Sequence, residues 1–320
     1  MIVAAASFDF QVALDSIAYG SLFALMALGL ALLFGVMGLM NFAYGELIMA
    51  GGFTMFYTRS WGWVGMMLMV VAVVTVLSLL MELIAFRPVR RAAPVVLLIT
   101  SFAVSYFLEA LGWMTVGTGP QKGVEPYPWL NYQYQISGVR ISRLTIVIWV
   151  VTVVLLVAMT ALLKKTALGI QLRASTEDFR MAQLVGVRAN WVISAAFGIT
   201  GLLASAVAIL YVLRQGPAID PNVGQGPLLI AFVGGVIGGL GSLAGAALGG
   251  FVLGAIINVL QAELPATGAH PLNNHTLVFA FFAVIAILVF QPEGLITLRA
   301  PLARLWRRFR TKPAVEGARA

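Results

Sequence analysis

Long stretches without any Asp, Glu, Lys or Arg divide the chain into apolar segments separated by short charged ones. A helix that crosses a membrane needs roughly 20 predominantly apolar residues. Three stretches have about that length, and a fourth reaches it when it is extended past Glu109 to about Val116. The pattern therefore predicts single membrane-spanning helices at 60–81, 144–163, 189–213 and 92–116.

Three other uncharged stretches do not fit one helix each. The first predicts a span at about 14–38, followed after Asn41 by a second, glycine-interrupted segment at 42–58. The last predicts one span at about Thr276–Gln291, after a polar start. With these segments the chain is predicted to hold about eight or nine transmembrane segments.

The stretch 221–262 is the most unusual, because it is too long for one helix and carries 11 of the 33 glycines. It must cross the membrane twice, or dip in and return, with its turn near Gly238–Ser242. Each half of the chain thus contains one short, glycine-interrupted apolar segment, Asn41–Gly52 and Gly234–Gly250. Paired broken segments of this kind point to an internal repeat and to a midplane pathway in transporters.

Composition agrees with a chain whose solvent is mostly lipid. Of 320 residues, 61% are hydrophobic and 10% are charged, and the mean hydropathy is +0.97. Soluble domains are about half apolar and a quarter charged. A soluble enzyme, a disordered protein and a fibrous protein are excluded. We expect an all-α polytopic membrane protein with one transmembrane domain at 1–298 and a basic cytoplasmic tail at 299–320.

The basic residues give the orientation. Fifteen of the 20 Lys and Arg residues fall in three segments, 87–91, 164–188 and 299–319. Basic residues concentrate in cytoplasmic loops of membrane proteins, so the N-terminus is predicted to lie outside and the C-terminus in the cytoplasm. The net charge of +8 is then a topology signal, and nucleic acid is not an expected partner.

No catalytic constellation is present in the sequence. Cysteine is absent, and the two histidines, His270 and His275, have no acidic or basic residue between them. The chain also lacks the G-x-x-x-x-G-K-[ST] loop that binds nucleotide phosphates. The chain is predicted to be neither an enzyme nor a metal protein.

Candidate residues for a translocation path lie in the two interrupted segments. Gly241, Gly245 and Gly249 recur every four residues and are predicted to share one helix face. Two interpretations stay open, close helix packing and a broken helix that lines a path. The candidates are Asn41, Tyr44, Glu46, Gly234, Gly238, Gly241 and Gly245.

Three acidic residues fall in or beside the apolar segments. Glu46 is either a residue of the path, since a buried carboxylate is costly, or a solvated residue at the interface. Glu82 is expected to snorkel toward Arg87. Glu109 has Lys122 and Arg140 as candidate partners.

The basic loop at 164–190 is predicted to contain a short helix, about Ile170–Leu184, ended by Gly186. On charge alone it is either a solvated connector or a helix that docks into a partner protein. Its sequence resembles the cytoplasmic coupling loop of the branched-chain amino-acid permeases of ABC importers. The resemblance rests on Thr166, Gly169, Arg173, Ala174, Asp178, Ala182 and Gly186, while Ile170 and Gln171 depart from the pattern.

Three further segments resemble the same family, so that the likeness runs from about residue 15 to 297. Gly29–Gly52 is similar to its first-span signature, with Tyr44 in place of the usual His. Phe232–Gly254 resembles its glycine-rich signature, and Phe290–Ile296 resembles the motif that closes its last span.

The resemblance implies the shorter of the two permease types of a branched-chain amino-acid importer, in the inner membrane of a bacterium or archaeon. It implies a second permease subunit, two ATP-binding subunits that hold ATP and Mg²⁺, and a periplasmic or lipid-anchored substrate-binding protein. The chain itself would contact membrane lipid and need no cofactor. Permeases for urea, short amides or other amino acids remain alternatives, as does a stand-alone ion-coupled transporter.

Overall fold

The structure is a computed structural model that describes residues 2–38, 41–90, 92–116, 121–122, 129–130, 132–136, 139–177, 179–216 and 218–263. The predicted last span Thr276–Gln291, the motif Phe290–Ile296, the basic tail and both histidines lie outside the described residues. Asp178 also lies outside them.

Helices dominate the described part of the chain. They are α1 (Ile2–Met37), α2 (Tyr44–Thr58), α3 (Gly62–Leu80), α4 (Arg87–Val89), α5 (Pro94–Val116), α6 (Arg143–Lys165), α7 (Ala167–Glu177), α8 (Phe179–Leu184), α9 (Ala189–Gln215), α10 (Gln225–Gly238) and α11 (Leu243–Glu263). A π-helical segment, Met81–Phe86, joins α3 to α4.

Two small antiparallel pairs of strands lie in the connections. The strands are β1 (Gln121–Lys122), β2 (Gln133–Ile136), β3 (Val139–Ser142) and β4 (Ala218–Ile219). β2 pairs with β3 as a hairpin before α6, whereas β1 pairs with β4 across almost 100 residues of chain. The β1–β4 pair therefore holds the connection after α5 against the connection after α9.

Six apolar helical runs among the described residues are long enough to cross a membrane. They include the predicted spans at 60–81, 92–116, 144–163 and 189–213, and the structure begins α1 earlier than the predicted residue 14. One run, Tyr44–Val89, is not straight. It turns at Arg59–Trp61, so that α2 folds back beside α3 with Gly51 against Val70 and Val74.

Two of the spans form the centre of the bundle. The apolar windows of α1 and α9 are 83% and 78% buried, against 17% for α5 and 22% for α6. Large apolar side chains on the outer helices face outward, where lipid is the matching solvent. Asp15 near the start of α1 lies 3.8 Å from Arg214 at the end of α9, so the two central helices run in opposite directions.

Small residues let each central helix approach a second helix closely. On α1, Gly20 lies against Phe251 and Ala255 of α11. At the end of the same contact, Asn258 donates to the Ser16 hydroxyl at 3.1 Å. These positions make α1 and α11 antiparallel.

The corresponding contact of α9 is made with α3. Gly201 of α9 packs on Thr75 and Ser78 of α3. The Ser78 hydroxyl also donates to the carbonyl of Phe197 at 2.8 Å. α3 and α9 are therefore held by one buried hydrogen bond in addition to packing.

The predicted turn near Gly238–Ser242 is present and forms a hairpin of α10 and α11. Gly239 ends α10 with a φ of +89°, a conformation that glycine adopts without strain. The hairpin packs backbone against backbone, Gly238 on Gly245 and Gly234 on Gly249 and Gly250.

The prediction that Gly241 shares a helix face with Gly245 and Gly249 was wrong. Gly241 lies in the turn before α11 begins, and a side-chain carbon built there would meet nothing within 4 Å. A turn breaks the regular spacing of four residues on which the prediction depended.

Candidate functional site

The two short helices of the bundle begin at the same point. Gly45 is the second residue of α2, and Gly224 is the N-cap of α10. A Cβ atom on Gly224 would collide with the carbonyl oxygen of Gly45, and one on Gly45 would lie 2.9 Å from the carbonyl oxygen of Gly224. The amino ends of the two helices, which carry partial positive charge, therefore meet. We call this contact the helix-start crossing.

A buried carboxylate stands beside the helix-start crossing. Glu46 lies in the first turn of α2 and is 1% exposed. Its Oε1 accepts a hydrogen bond of 2.8 Å from the Ser105 hydroxyl of α5, and its Oε2 is buried without a hydrogen-bond partner. The interpretation of Glu46 as a solvated interfacial residue was therefore wrong.

Glu109 lies one turn further along α5 and ties that helix to α10. Its Oε2 accepts from the Gln225 amide at 2.8 Å, and its Oε1 accepts from the Trp113 indole at 3.3 Å. Residues four apart share a helix face, so Ser105 and Glu109 present hydroxyl and carboxylate to α2 and α10 together. The expected partners of Glu109 were Lys122 and Arg140. The hydrogen bonds to its carboxylate come instead from the neutral side chains of Gln225 and Trp113.

Two predicted path residues lie just before and at the start of α2. The Asn41 side-chain oxygen accepts from the backbone N–H of Ala43 at 3.1 Å, which steadies the entry to the helix, while its Nδ2 is buried without a partner. Tyr44 is fully buried, and its hydroxyl lies against Gly29 of α1. A larger residue at position 29 would displace that ring.

Aromatic rings close the site on the side of the α2 entry. Phe42 stacks on Phe102 of α5 with ring centroids 4.2 Å apart, and it approaches Phe232 of α10 at 5.8 Å. The α2 entry, α5 and α10 are thus joined by an apolar contact as well as by the hydrogen bonds of Glu46 and Glu109.

Replacement of Ser105 with Ala is expected to lower the free energy of unfolding by about 1–3 kcal/mol, because the Glu46 carboxylate would lose its hydrogen-bond donor in a buried site. Thermal unfolding in detergent measures the change. Thr115→Ala on the same helix is the matched control, since the exposed Thr115 hydroxyl bonds only to carbonyls of its own helix, the nearer at 2.8 Å. Equal unfolding temperatures for the two variants would contradict a stabilising role for Ser105.

Glu82 lies elsewhere, in the π-helical segment after α3. It is 2% exposed, and its Oε2 accepts from the Ser194 hydroxyl of α9 at 2.9 Å. It makes no ion pair with Arg87, although both residues are described. The expectation that Glu82 snorkels toward Arg87 was wrong, because the wider π-helical turn directs it into the bundle.

Three of the predicted path glycines, Gly234, Gly238 and Gly245, lie in the α10–α11 hairpin. Their backbones touch the facing helix directly, which favours helix packing over an open path at these three positions. Neither interpretation describes Gly241, which is exposed in the turn.

The described residues of the predicted coupling loop are helical in α7 and α8, which lie on either side of Asp178 and include the described part of the predicted helix Ile170–Leu184. Thr166 caps the start of α7, because its hydroxyl accepts a hydrogen bond from the Gly169 N–H at 3.0 Å. Gly169 then packs on the backbone of Leu162 and Leu163 at the end of α6, where a side chain would collide. The T-x-x-G spacing thus places a helix cap at Thr166 and a close contact with the backbone of α6 at Gly169.

A glycine motif ends the loop. The N–H of Gly186 donates to the carbonyl of Gln183 at 3.1 Å, and the N–H of Val187 donates to that of Ala182 at 3.1 Å. These two bonds, with a φ of +95° at Gly186, form a Schellman motif. The A-x-x-x-G-V spacing has this physical basis.

The remaining loop residues are placed as follows. Leu172 is fully buried and anchors α7 on the bundle, and Ala174 is half-buried. Arg173 is exposed and lines a cavity between helices. Exposed apolar side chains follow at and after the end of α8, where Leu184 is 80% and Val185 is 76% exposed.

Sequence reasoning missed Ser105, Gln225 and Gly224. The spacing of four residues between Ser105 and Glu109 was a usable signal. Nothing in the sequence indicated that residues 45 and 224 touch, because that contact joins segments from different halves of the chain. Among the residues that the structure describes, no group of three acidic or histidine side chains is placed to hold a metal ion.

The described architecture is that of a multi-pass helical membrane protein, with two short helices meeting inside the bundle. A family model described as the permease component of branched-chain amino acid transport systems matches residues 12–289. The chain belongs to this family.

Individual relatives match over most of the chain. The permease protein BraD of a high-affinity branched-chain amino acid transport system in Pseudomonas aeruginosa is 31% identical over 301 residues, 89% of this chain and 95% of that protein. The corresponding protein LivH of Escherichia coli is 28% identical over 298 residues, 88% and 93% of the two chains. A probable branched-chain amino acid permease of Methanocaldococcus jannaschii is 27% identical over 292 residues, 88% and 90%. No solved structure matches.

Proposed function

We propose that this chain is a permease subunit of an ATP-driven importer for branched-chain amino acids. Membership of the permease family across residues 12–289 is the observation that carries this function. The chain would form one wall of the translocation path and couple to separate ATPase subunits, which would bind ATP and Mg²⁺. A second permease and a periplasmic or lipid-anchored binding protein would complete the importer in the inner membrane of a bacterium or archaeon.

The orientation proposed for the chain puts the N-terminus outside and α7 and α8 in the cytoplasm. The ion pair of Asp15 with Arg214 groups the outer ends of α1 and α9. Lys164, Lys165 and Arg188 flank α7 and α8 at the opposite end of the bundle. This position agrees with the concentration of basic residues in cytoplasmic loops.

An inverted repeat is part of the proposal. The order of a long central helix, a short helix and a second long helix occurs twice, as α1–α3 and as α9–α11. The central helices are antiparallel, each packs on the third helix of the other set, and the two short helices start at one point. These contacts support two related halves of opposite orientation, the arrangement that places a substrate path at the repeat interface.

The exposed apolar residues of the coupling loop, 164–190, support a role for this loop in docking to an ATPase subunit. Ile170, Leu184 and Val185 are 56%, 80% and 76% exposed in a basic loop. An apolar patch rimmed by polar residues marks an interaction surface. We infer that an ATPase subunit covers these side chains and that closure of the ATPase pair moves α7 and α8 against the bundle.

Replacement of Gly186 with Val is expected to uncouple transport from ATP hydrolysis while membrane insertion is retained. A β-branched residue at a φ of +95° costs roughly 1–3 kcal/mol, and the motif that ends α8 would open. ATP-dependent uptake should fall at least tenfold, with the basal ATPase rate unchanged. Gly226→Val is the control, since Gly226 is a helix residue with nothing near its Cβ position. Unaltered uptake by Gly186→Val would contradict the docking role.

The function is tested by reconstitution of the chain in liposomes with and without its candidate partners. Leucine, isoleucine or valine should accumulate only when the second permease, the ATPases, the binding protein and ATP are all present. Uptake by the chain alone, driven by an ion gradient, would overturn the importer and favour the stand-alone transporter. ATP-dependent uptake of urea, short amides or other amino acids, but not of these three, would keep the importer and correct the substrate.

A further inference from the structure

A polar cavity of about 530 Å³ lies between α4 and the start of α9. The described residues of its lining are Arg87, Arg188, Asn190, Trp191 and Ser194. Arg87 begins α4, Arg188 is the N-cap of α9, and the other three belong to α9. All except Ser194 are exposed, so the cavity opens at the surface. The helix-start crossing contributes none of these residues, and the cavity is a separate site.

The cavity brings together two of the basic segments of the sequence, 87–91 and 164–188. Arg87 comes from the first segment and Arg188 from the second. Within the part of the chain that the structure describes, neither side chain forms an ion pair or a hydrogen bond. Two like charges beside one cavity repel each other, so the arrangement favours a ligand that carries negative charge.

The start of α9 adds to the positive character of the cavity. The N-cap Arg188 makes no side-chain capping hydrogen bond, and the first turn of α9 contains no acidic residue. The first N–H groups of a helix lack partners within it and carry partial positive charge. The Asn190 amide and the Trp191 indole are further N–H donors in the lining. These groups also favour an anion.

One carboxylate lies behind the cavity. The Ser194 hydroxyl, which lines the cavity, donates to Oε2 of Glu82 at 2.9 Å. Glu82 is 2% exposed and does not itself line the cavity. One carboxylate against the two guanidinium groups of Arg87 and Arg188 leaves an excess of one positive charge, and that excess faces the opening.

We propose that an aspartate or glutamate side chain of an ATPase subunit binds in this cavity between Arg87 and Arg188. The inference rests on the proposed function, because it identifies a second contact with the ATPase, outside α7 and α8. A guanidinium group binds a carboxylate through two parallel hydrogen bonds. Two arginines from different helices can therefore hold one carboxylate from both sides.

The position of the cavity favours a protein ligand. Arg188 follows Leu184 and Val185 closely in sequence, and these are the exposed apolar side chains that the proposed function places under an ATPase subunit. A partner that covers them also reaches the cavity. Arginine and tryptophan are over-represented among the residues that dominate binding between proteins.

A phospholipid fits the cavity less well. Trp191 is the only apolar side chain among the described residues of the lining. The acyl chains of a lipid would therefore find no apolar groove next to the two arginines. A carboxylate on a protein surface needs no such groove.

The contact would act on both halves of the bundle. Arg87 lies in α4, which follows α3 through the π-helical segment, and Arg188 starts the central helix α9. α3 and α9 are themselves joined by the hydrogen bond from Ser78 to the carbonyl of Phe197. Movement of the ATPase pair would thus reach α9 directly, in addition to α7 and α8.

Charge reversal at the two arginines tests the contact in the reconstituted importer. Arg87→Glu combined with Arg188→Glu should lower the amount of ATPase that co-purifies with the permease by roughly tenfold or more. Arg87→Lys with Arg188→Lys keeps the charge and should retain most of the ATPase. Arg59→Glu is the matched control, since Arg59 is an exposed arginine at the opposite end of α3 and does not line the cavity. Thermal unfolding of each variant checks that the bundle is intact.

Photo-cross-linking tests the occupant without any change of charge. Benzoylphenylalanine in place of Trp191, in an otherwise unmodified chain, should cross-link to an ATPase subunit in the importer assembled in liposomes. Mass spectrometry of the cross-linked peptide should find an aspartate or glutamate close to the attachment point. This experiment decides the matter even if the charge-reversed variant does not fold.

Two results would overturn the acidic contact. One is undiminished recovery of the ATPase with the charge-reversed variant. The other is cross-linking from position 191 to lipid alone, which would assign the cavity to a headgroup. In both cases the unmodified chain would still bind the ATPase and support ATP-dependent uptake. Failure of the unmodified chain to bind any ATPase would instead overturn the proposed function, so the two failures are distinguishable.

Discussion

Replacement of Gly224, the N-cap of α10, with Ala should strongly destabilise the permease. The new Cβ would collide with the backbone carbonyl of Gly45, and a backbone atom cannot rotate away as the end of a side chain can. We expect the free energy of unfolding to fall by at least ~3 kcal/mol, the upper part of the range for overpacking. Thermal unfolding and yield after size-exclusion chromatography measure the loss.

The same helix supplies the control. Gly226 lies two residues further on, with nothing within 4 Å of its Cβ position, so Gly226→Ala should be neutral or slightly stabilising. Gly45→Ala should fall between the two, because its Cβ would lie 2.9 Å from the facing carbonyl. If Gly224→Ala and Gly226→Ala unfold at the same temperature, the two short helices do not meet as described.

Replacement of Gly249 with Ala should separate the α10–α11 hairpin. Its Cβ would overlap the carbonyl oxygen of Gly234 and approach the amide nitrogen of Gly238 at 2.6 Å. Two helix backbones that touch cannot accept a methyl group between them without moving apart. We expect a loss of about 3 kcal/mol and at least a tenfold loss of ATP-dependent uptake in the reconstituted importer.

Gly241→Ala is the matched control for the hairpin, because Gly241 is exposed in the turn with open space around it. Stability and uptake should stay within twofold of the unmodified protein. A Gly241→Ala variant as damaged as Gly249→Ala would mean that the regular spacing of glycines continues through the turn, as the sequence pattern first indicated.

Much of the architecture could be predicted from the sequence because the bilayer imposes a simple rule. A chain in lipid must satisfy its backbone hydrogen bonds within each span, so uncharged stretches of the right length mark helices. The spans at 60–81 and 189–213 and the turn after Gly238 follow from that rule. The end of the loop helix at Gly186 was predicted separately, because a glycine that ends a helix is a local signal.

Contacts between distant parts of the chain were not predictable in the same way. In the sequence, Glu46 is equally consistent with a buried and with a solvated position. The structure decides between them, because the Ser105 hydroxyl donates to its Oε1 at 2.8 Å. Glu82 was assigned to a nearby arginine, the nearest charge in sequence, but the π-helical turn directs it to Ser194.

The sequence by itself determined that this protein is an all-helical membrane permease of the branched-chain amino acid family and where most of its spans lie. Hydrophobicity and local motifs carry that information, because they act within one helix or one turn. Only the tertiary structure decided which glycines touch and where α2 and α10 meet. Helix packing in lipid depends on close contacts of small residues from distant segments, and such contacts have no local signature in the chain.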